Sequence, residues 1–395
     1  MTSSRWTVLT LFLALTVAAC GGSGSDTTEA EGPEDGGTGL PEVNTTFPDA
    51  GVDTTPSSSS DGDGAACDPA EICEVEIEWN TIPLPDQYPG EIVVDGSTAY
   101  VTTDEGAVLE VDLGSGSIVN TLQFDDEAVD VTVNGNDLWV LTASGPVRVD
   151  RSTGESGAVL PSGSFNFHIA VNDDAVWVTT DGTGEVVRLD PATGASVATV
   201  TDYDNMSGGD PPRLMSAFGS VWVIDKLGGR LLQIDPGTNS IVTIFDQLGF
   251  EKVDQGGGTF SVLAAGPQAV TATDDAIWVI SDLVNPEQAN VVGAAGVFRI
   301  DPDTGTVEQM LELIADPDQT SFVVGTDAVW YLDYVDDYLI RADLATGQQA
   351  RLRFQGSGRG VALGEGVVWV TVEGFGDPSG VYGLEETAAA AAVSG

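Results

Sequence analysis

Residues 166–200, NFHIAVNDDAVWVTTDGTGEVVRLDPATGASVATV, decide the fold. The stretch reads as four short strands, FHIAV, AVWVTT, EVVRLD and SVATV, joined by the turn-rich pieces NDD, DGTG and PATG. Each run alternates apolar with polar residues or is β-branched and aromatic, the composition that suits a pleated, half-buried surface. One such sheet cannot cover its own apolar faces. The chain meets that need by repetition.

Tryptophan marks the register. Six of the eight fall in one context: LWV at Trp139, VWV at Trp177, Trp222 and Trp369, IWV at Trp278 and VWY at Trp330. Tyr100, in AYV, fills the same place first. Successive intervals are 39, 38, 45, 56, 52 and 39 residues, and a β-rich repeat of about 40 is the period of a propeller blade. Units at 90–124, 128–162, 166–202, 211–246, 268–314, 320–355 and 358–385 give seven blades. The expected class is all-β, a seven-bladed β-propeller of four-stranded antiparallel blades. The repeated aromatic is expected to pack between neighbouring sheets.

Third strands end in Asp112, Asp150, Asp190, Asp235, Asp301 and Asp343, before turns such as PATG, PDTG and LATG. There the Asp should bond the backbone two residues on while Gly takes a positive φ. Arg148, Arg188, Arg299 and Arg341 each lie two residues before such an Asp, on the same strand face, where the two side chains are expected to pair. The seventh unit offers three strands, GRGVALG, VVWVTV and GVYGLEE, and then runs into an Ala-rich tail at 387–395. The missing strand is assigned to Glu74–Asn80, EVEIEWN, so that the N-terminal strand closes the last blade and removes an open edge.

The apolar-Trp-Val strand and the Arg-x-Asp-Pro-x-Thr-Gly hairpin resemble those of YVTN/NHL-type seven-bladed propellers, in particular the virginiamycin B lyase-like family. The resemblance spans Glu74 to Glu385. It implies the fold, a secreted bacterial setting and, from the family's named enzyme, metal-dependent lyase activity as one possible function. Quinone-cofactor propellers are similar too, but they place a Trp shortly after the Thr-Gly; here it sits on the second strand. No cofactor is assigned.

The N-terminus gives an address. Arg5 precedes an apolar run from Trp6 to Ala18, too short for a comfortable span and suited to a signal-peptide core. Val17-Ala18-Ala19-Cys20 resembles a lipobox, which implies a signal peptide at 1–19 and lipidation of Cys20. The expected location is the cell envelope, anchored on the extracytoplasmic face of a bacterial membrane. Residues 20–66 are mostly Gly, Ser, Thr, Pro, Asp and Glu with almost no large apolar residues, expected as a disordered tether to the propeller at 67–386. Cys67 and Cys73 are expected to form a disulfide at its door.

The net charge of −49, from 62 acids against 13 Lys and Arg, argues against nucleic acid as a partner. Acidic clusters lack the alternation of a calcium loop, and no metal site is assigned. The residue nine places before each ring aromatic should open an inner strand at the top mouth of the central channel. In blade order these are Glu91, Asp130, His168, Arg213, Ala269, Ser321 and Gly360, with Arg359 beside the last. The sole His and two of the few arginines converge there, so Glu91, Asp130, His168, Arg213, Ser321 and Arg359 form the candidate ligand site. Loop length also varies on that face, at Thr201–Pro212, Asp246–Pro267, Ser281–Gly296, Asp333–Tyr338 and Glu373–Ser379, where a rigid ring usually carries function. The reading is a monomeric binding protein for a small polar ligand, a glycan or an envelope partner. No catalytic residue is named; a lyase, or an envelope scaffold, is the alternative.

Overall fold

Two short strands, β1 (Ile72–Val75) and β2 (Asn80–Pro83), precede the repeats. Blade one is β3 (Pro89–Asp95), β4 (Thr98–Thr103), β5 (Ala107–Asp112) and β6 (Ser117–Gln123). Blade two holds β7 (Ala128–Asn134), β8 (Asp137–Thr142) and β9 (Gly145–Asp150). Blade three is β10 (Asn166–Asn172), β11 (Ala175–Thr180), β12 (Val186–Leu189) and β13 (Ser196–Val200). Blade four is β14 (Leu214–Ala217), β15 (Ser220–Asp225), β16 (Arg230–Asp235) and β17 (Ser240–Phe245). Blade five is β18 (Pro267–Ala272), β19 (Ile277–Val284), β20 (Val292–Ile300) and β21 (Val307–Leu313). Blade six is β22 (Pro317–Val324), β23 (Ala328–Asp333), β24 (Tyr338–Asp343) and β25 (Gln349–Arg353). Blade seven is β26 (Ser357–Gly364), β27 (Val367–Glu373) and β28 (Gly380–Glu385), followed by a helix, α1 (Glu386–Ser394).

This computed structural model describes residues 72–394 except 86, 161–165, 173, 181–184, 202–212, 227, 250–265, 285–291, 315–316, 334–337 and 375–378. The expected signal peptide, tether, Cys20 and Cys67 lie outside the described residues, as do most of the long top-face loops. Cys73 is disulfide-bonded, and its partner lies outside them too. Part of Ser281–Gly296, expected as a loop, is instead hairpin arm: Leu283 pairs with Ala294 and Val284 with Val292.

Within each blade, successive strands run antiparallel, and the seven sheets form a ring. Among the described residues, blade two shows three strands. In the place of the fourth it has one bridge, Val149 to Ser156, extended by Gly157 N donating to Arg148 O (2.7 Å) and Leu160 N to Pro146 O (2.8 Å).

The core lies between blades rather than within them. Each of the seven described apolar clusters joins two neighbouring sheets, and each holds one ring aromatic. Tyr100 packs into blade two, Trp139 into three, Trp177 into four, and so on round to Trp369 in blade one. Trp177, Trp222 and Trp330 are fully buried, and truncating one to Ala would cost about 3–5 kcal/mol.

The turn aspartates behave as expected. Asp150 Oδ1 accepts from Ser152 N (2.8 Å), Asp190 Oδ1 from Thr193 N (2.8 Å) and Asp343 Oδ1 from Thr346 N (2.8 Å). Hydroxyl and backbone donors of Ser115, Ser152 and Thr193 hold the carboxyls of Asp112, Asp150 and Asp190 below the usual range. The arginine pairing needs correction. Arg341 does reach Asp343 (3.3 Å), but it lies closer to Asp327 (2.9 Å). Arg148 goes to Asp137 (2.8 Å), the first residue of the facing second strand, and Arg299 to Asp275 (3.0 Å), in the turn before its own. Arg188 crosses to blade four and donates to Pro236 O and Asn239 Oδ1. The turn aspartates are already occupied by backbone donors, so the guanidinium finds another acceptor.

Closure by the N-terminus holds, with a shifted strand. Blade seven is completed by β2, whose Ile82 pairs with Val381 of β28, and not by the whole of Glu74–Asn80. Ile82 and Leu84 are buried beside Trp369 and Val381. The first half of the expected strand, β1, instead runs parallel to β25 as a fifth strand on blade six. Trp79 bridges the two: its Nε1 donates to Arg353 O (2.7 Å), and its ring meets Phe354 and Tyr382 edge-on. The Ala-rich tail forms most of α1. In α1 the carboxylate of Glu386 accepts from Thr326 N (3.0 Å), and Ala389 and Val393 are buried.

Deleting residues through Val75 removes β1 alone and should leave a soluble monomer by size-exclusion chromatography. Deleting through Leu84 also removes β2, bares the edge of β28 and should cause aggregation. Equal behaviour of the two truncations would refute closure by β2.

Candidate ligand site at the channel mouth

Seven inner strands, β3, β7, β10, β14, β18, β22 and β26, pack side by side around the channel. Six of them carry a register shift near the top end, for example between Pro89 and Ile92, Ala128 and Asp130, and Asn166 and Ile169. A bulge re-aims a side chain and ends regular pairing. These shifts fall where Glu91, Asp130 and His168 stand, so the strand ends turn polar groups toward the mouth without breaking the wall beneath.

Glu91, Asp130, His168 and Arg213 line one cavity of about 280 Å³. Below them the wall is formed by inner-strand residues such as Val131, Ala170, Leu214 and Val270. Asp130 is the best-anchored member: Oδ1 accepts from Val131 N (2.7 Å) and Oδ2 from Ile169 N (3.0 Å), the latter across the blade boundary. His168 Nδ1 stands 3.7 Å from Asp130 Oδ2, and the backbone N of His168 donates to Thr179 Oγ1 (3.2 Å). Arg213 opens β14, its carbonyl accepting from Ile224 N (2.9 Å).

One of the other two expected members does not join. Arg359 is turned to Glu373, with Nε 3.0 Å from Oε2, and is not part of the cavity wall. Ser321 falls in β22, but its side chain is outside the described ones. One residue was missed. Lys226, just after β15, acts electrostatically on His168, although the sequence places no lysine near that histidine. Its rarity, as one of two lysines in the chain, was the available signal.

A second belt of acids lies at the top ends of second strands, also unanticipated. Asp225 is buried and accepts from Arg230 Nε (2.9 Å) and Gly228 N (2.9 Å). Asp282 accepts from Gln268 Nε2 (2.8 Å), and Asp333 from Arg351 (3.2 Å). Such paired carboxylates fix loop roots, since a buried charge without a partner would be costly.

No family model matches the chain, and no curated protein matches it. Among solved structures, hydrazine synthase from Kuenenia stuttgartiensis is similar at 13% identity and a TM-score of 0.58, over 77% of this chain and 96% of that one. The β-propeller domain of Myceliophteria thermophila Cps50 (Swd1) is similar at 11% identity and 0.57, over 78% and 99%. U3-55K follows at 9% and 0.56, over 78% and 98%. At such identities the likeness concerns architecture alone. The chain is a seven-bladed β-propeller.

Burial pushes the His168 imidazole below its ordinary 6.5, Asp130 pulls it back, and the charges of Arg213 and Lys226 add to the downward push. The folded state therefore favours the neutral ring. The unfolded chain takes up its proton first, so this contribution is complete above 6.5 and is lost as pH falls below it. The stability difference between the wild type and His168→Gln should thus shift against the wild type from pH 7 to pH 5, measured by chemical denaturation. A difference that does not change with pH would show that the ring is not held neutral.

Proposed function

We propose that the protein is a non-catalytic binding propeller that takes a small polar ligand at its channel mouth. The supporting observation is that Glu91, Asp130, His168 and Arg213, from four consecutive blades, line the same cavity. Two carboxylates on one side of a neutral imidazole and a guanidinium with Lys226 on the other suit a ligand carrying both signs of charge, such as an amino acid or a peptide terminus. The volume is at the small end for ligand pockets, which favours a compact molecule over a glycan chain. His168 can donate to one group of such a ligand and accept from another.

The lipobox-like Val17–Cys20 supports presentation of this site from the extracytoplasmic face of a bacterial membrane, on the tether at 20–66. The virginiamycin B lyase-like resemblance keeps a metal-dependent lyase as the alternative. Its supporting feature here is a neutral base candidate, His168, beside two cations.

His168→Ala and Arg213→Ala should each weaken binding of a hit from an amino-acid and organic-acid thermal-shift screen by about tenfold or more. Purified protein should show no turnover. Turnover that a chelator abolishes and His168→Ala removes would overturn the binding assignment in favour of the lyase. Cys20→Ser should release the protein from the membrane fraction with unchanged circular dichroism; undiminished retention would refute the anchor.

A further inference from the structure

Four second-strand aromatics face an arginine directly across the ladder: Trp139 and Arg148, Trp177 and Arg188, Trp278 and Arg299, Trp330 and Arg341. In two of these the guanidinium lies over the indole, 5.6 Å from the ring centre for Arg188 and 5.7 Å for Arg341. Blade one reaches the same arrangement by another route, with Arg151 of blade two 5.3 Å over the Tyr100 ring. Blade seven breaks the pattern. The residue opposite Trp369 is Gly383, and a Cβ there would overlap the six-membered ring of Trp369. Among the described residues, no arginine covers that indole.

The indole itself fills the place of that Cβ, and the open space lies beside it. A cavity of about 450 Å³ lies between blades seven and one at the base of the ring, opposite the channel mouth. Trp369, 4% exposed, forms one wall, and its Nε1 is buried without a hydrogen-bond partner. Another wall is the Leu113–Gly114 turn. That turn is the counterpart in blade one of Pro236–Gly237 in blade four, each following a turn aspartate. It is the Pro236 carbonyl that accepts from Arg188 (2.7 Å) when Arg188 crosses from Trp177 to the next blade. The wall also carries three exposed carboxylates, Glu78, Glu365 and Glu385. Among the described residues, no Lys or Arg is paired with any of them.

We infer that this basal cavity is a guanidinium-binding site, which takes over Trp369 the arginine head that blade seven does not supply. The bound group stacks on the indole, donates to the Leu113 carbonyl as Arg188 does to Pro236, and is drawn in by the three carboxylates. A planar fork satisfies a ring face and an in-plane carbonyl together. A lysine ammonium does not, and the repeat itself uses arginine at this place. The source is either a free guanidinium compound or an arginine side chain on a protein segment.

The test is calorimetric titration of the full chain with methylguanidinium, with the peptide Gly-Arg-Gly and with its citrulline counterpart. Both guanidinium ligands should bind, and the neutral isostere should bind at least about tenfold more weakly. Tighter binding of the peptide would assign the source to a protein segment, and equal binding to the free compound. Glu365→Gln combined with Glu385→Gln, on exposed positions that leave the core intact, should weaken both by about tenfold. Gly383→Arg should fill the cavity from within and abolish binding, once Trp369 swings clear; if that variant does not fold, the carboxylate pair decides. Equal binding of the citrulline peptide, unchanged binding in the double variant, or no binding of either guanidinium ligand would overturn the inference. So would loss of binding in Asp130→Asn, which would place the guanidinium at the channel mouth.

Discussion

A four-stranded sheet has two apolar faces and no means of covering either by itself. Everything in this molecule follows from the way neighbouring blades cover them. The core is divided into interfaces, each pinned by the aromatic at the centre of a second strand. A ring of this kind must close, because an open end would expose both a face and an edge. Closure here joins Ile92 and Val101 of blade one to Ala362 and Trp369 of blade seven, with Ile82 and Leu84 inserted from the N-terminal segment. Thr371 Oγ1 adds a polar stitch to Gly90 O (2.7 Å). Because the ends are tied at several depths, the inner strands form a rigid wall, and bulges at their tips can aim polar groups without loosening it.

Much of the fold was legible because the signals were local and repeated. The apolar-Trp-Val strand fixed blade number and register, and the Asp-x-Thr-Gly turns fixed the hairpins. The N-terminal strand was misplaced for a physical reason. Glu74–Asn80 alternates cleanly, while Asn80–Pro83 contains a proline, which ordinarily argues against a strand. At an edge that objection lapses, and burial of Ile82 and Leu84 decides the pairing. The alternation of Glu74–Asn80 serves a different end: its first part lies on blade six, and Trp79 seals the gap between blades six and seven.

The site was only partly legible, because counting residues back from an aromatic predicts height on the strand but not direction. Glu91, Asp130, His168 and Arg213 converge, whereas Arg359, at nearly the same height, turns sideways to Glu373. Scarcity of basic residues explains that choice. With 62 acids and 13 Lys and Arg in the chain, an arginine such as Arg359 has several candidate partners and settles on a well-placed carboxylate. Arg230 and Arg351 likewise hold buried acids at loop roots. Strand periodicity shows little of this: Arg230 meets Asp225 across its own hairpin, whereas Arg351 reaches past β24 to Asp333. Lys226 escaped for the same reason: its link to His168 runs between blades.

Repetition also changes what counts as a functional signal. In a singular fold, one unusual residue has no internal reference. Here each position has up to six counterparts, so a departure can be read against them. His168 departs by bringing in a titratable ring, and the ring lies among charges inside a cavity. Gly383 departs by omission, and the omission leaves a cavity where three other interfaces have a guanidinium over the ring. Not every exchange opens space: opposite Trp222 stands Gln233, and there Phe245 packs against the indole with ring centres 5.7 Å apart. A substitution that a neighbour fills is repacking; one that leaves an indole beside an acidic void is a different kind of change. By that measure the two cavities, one at each end of the ring, are, among the described residues, places where this chain departs from its own repeat without refilling the space.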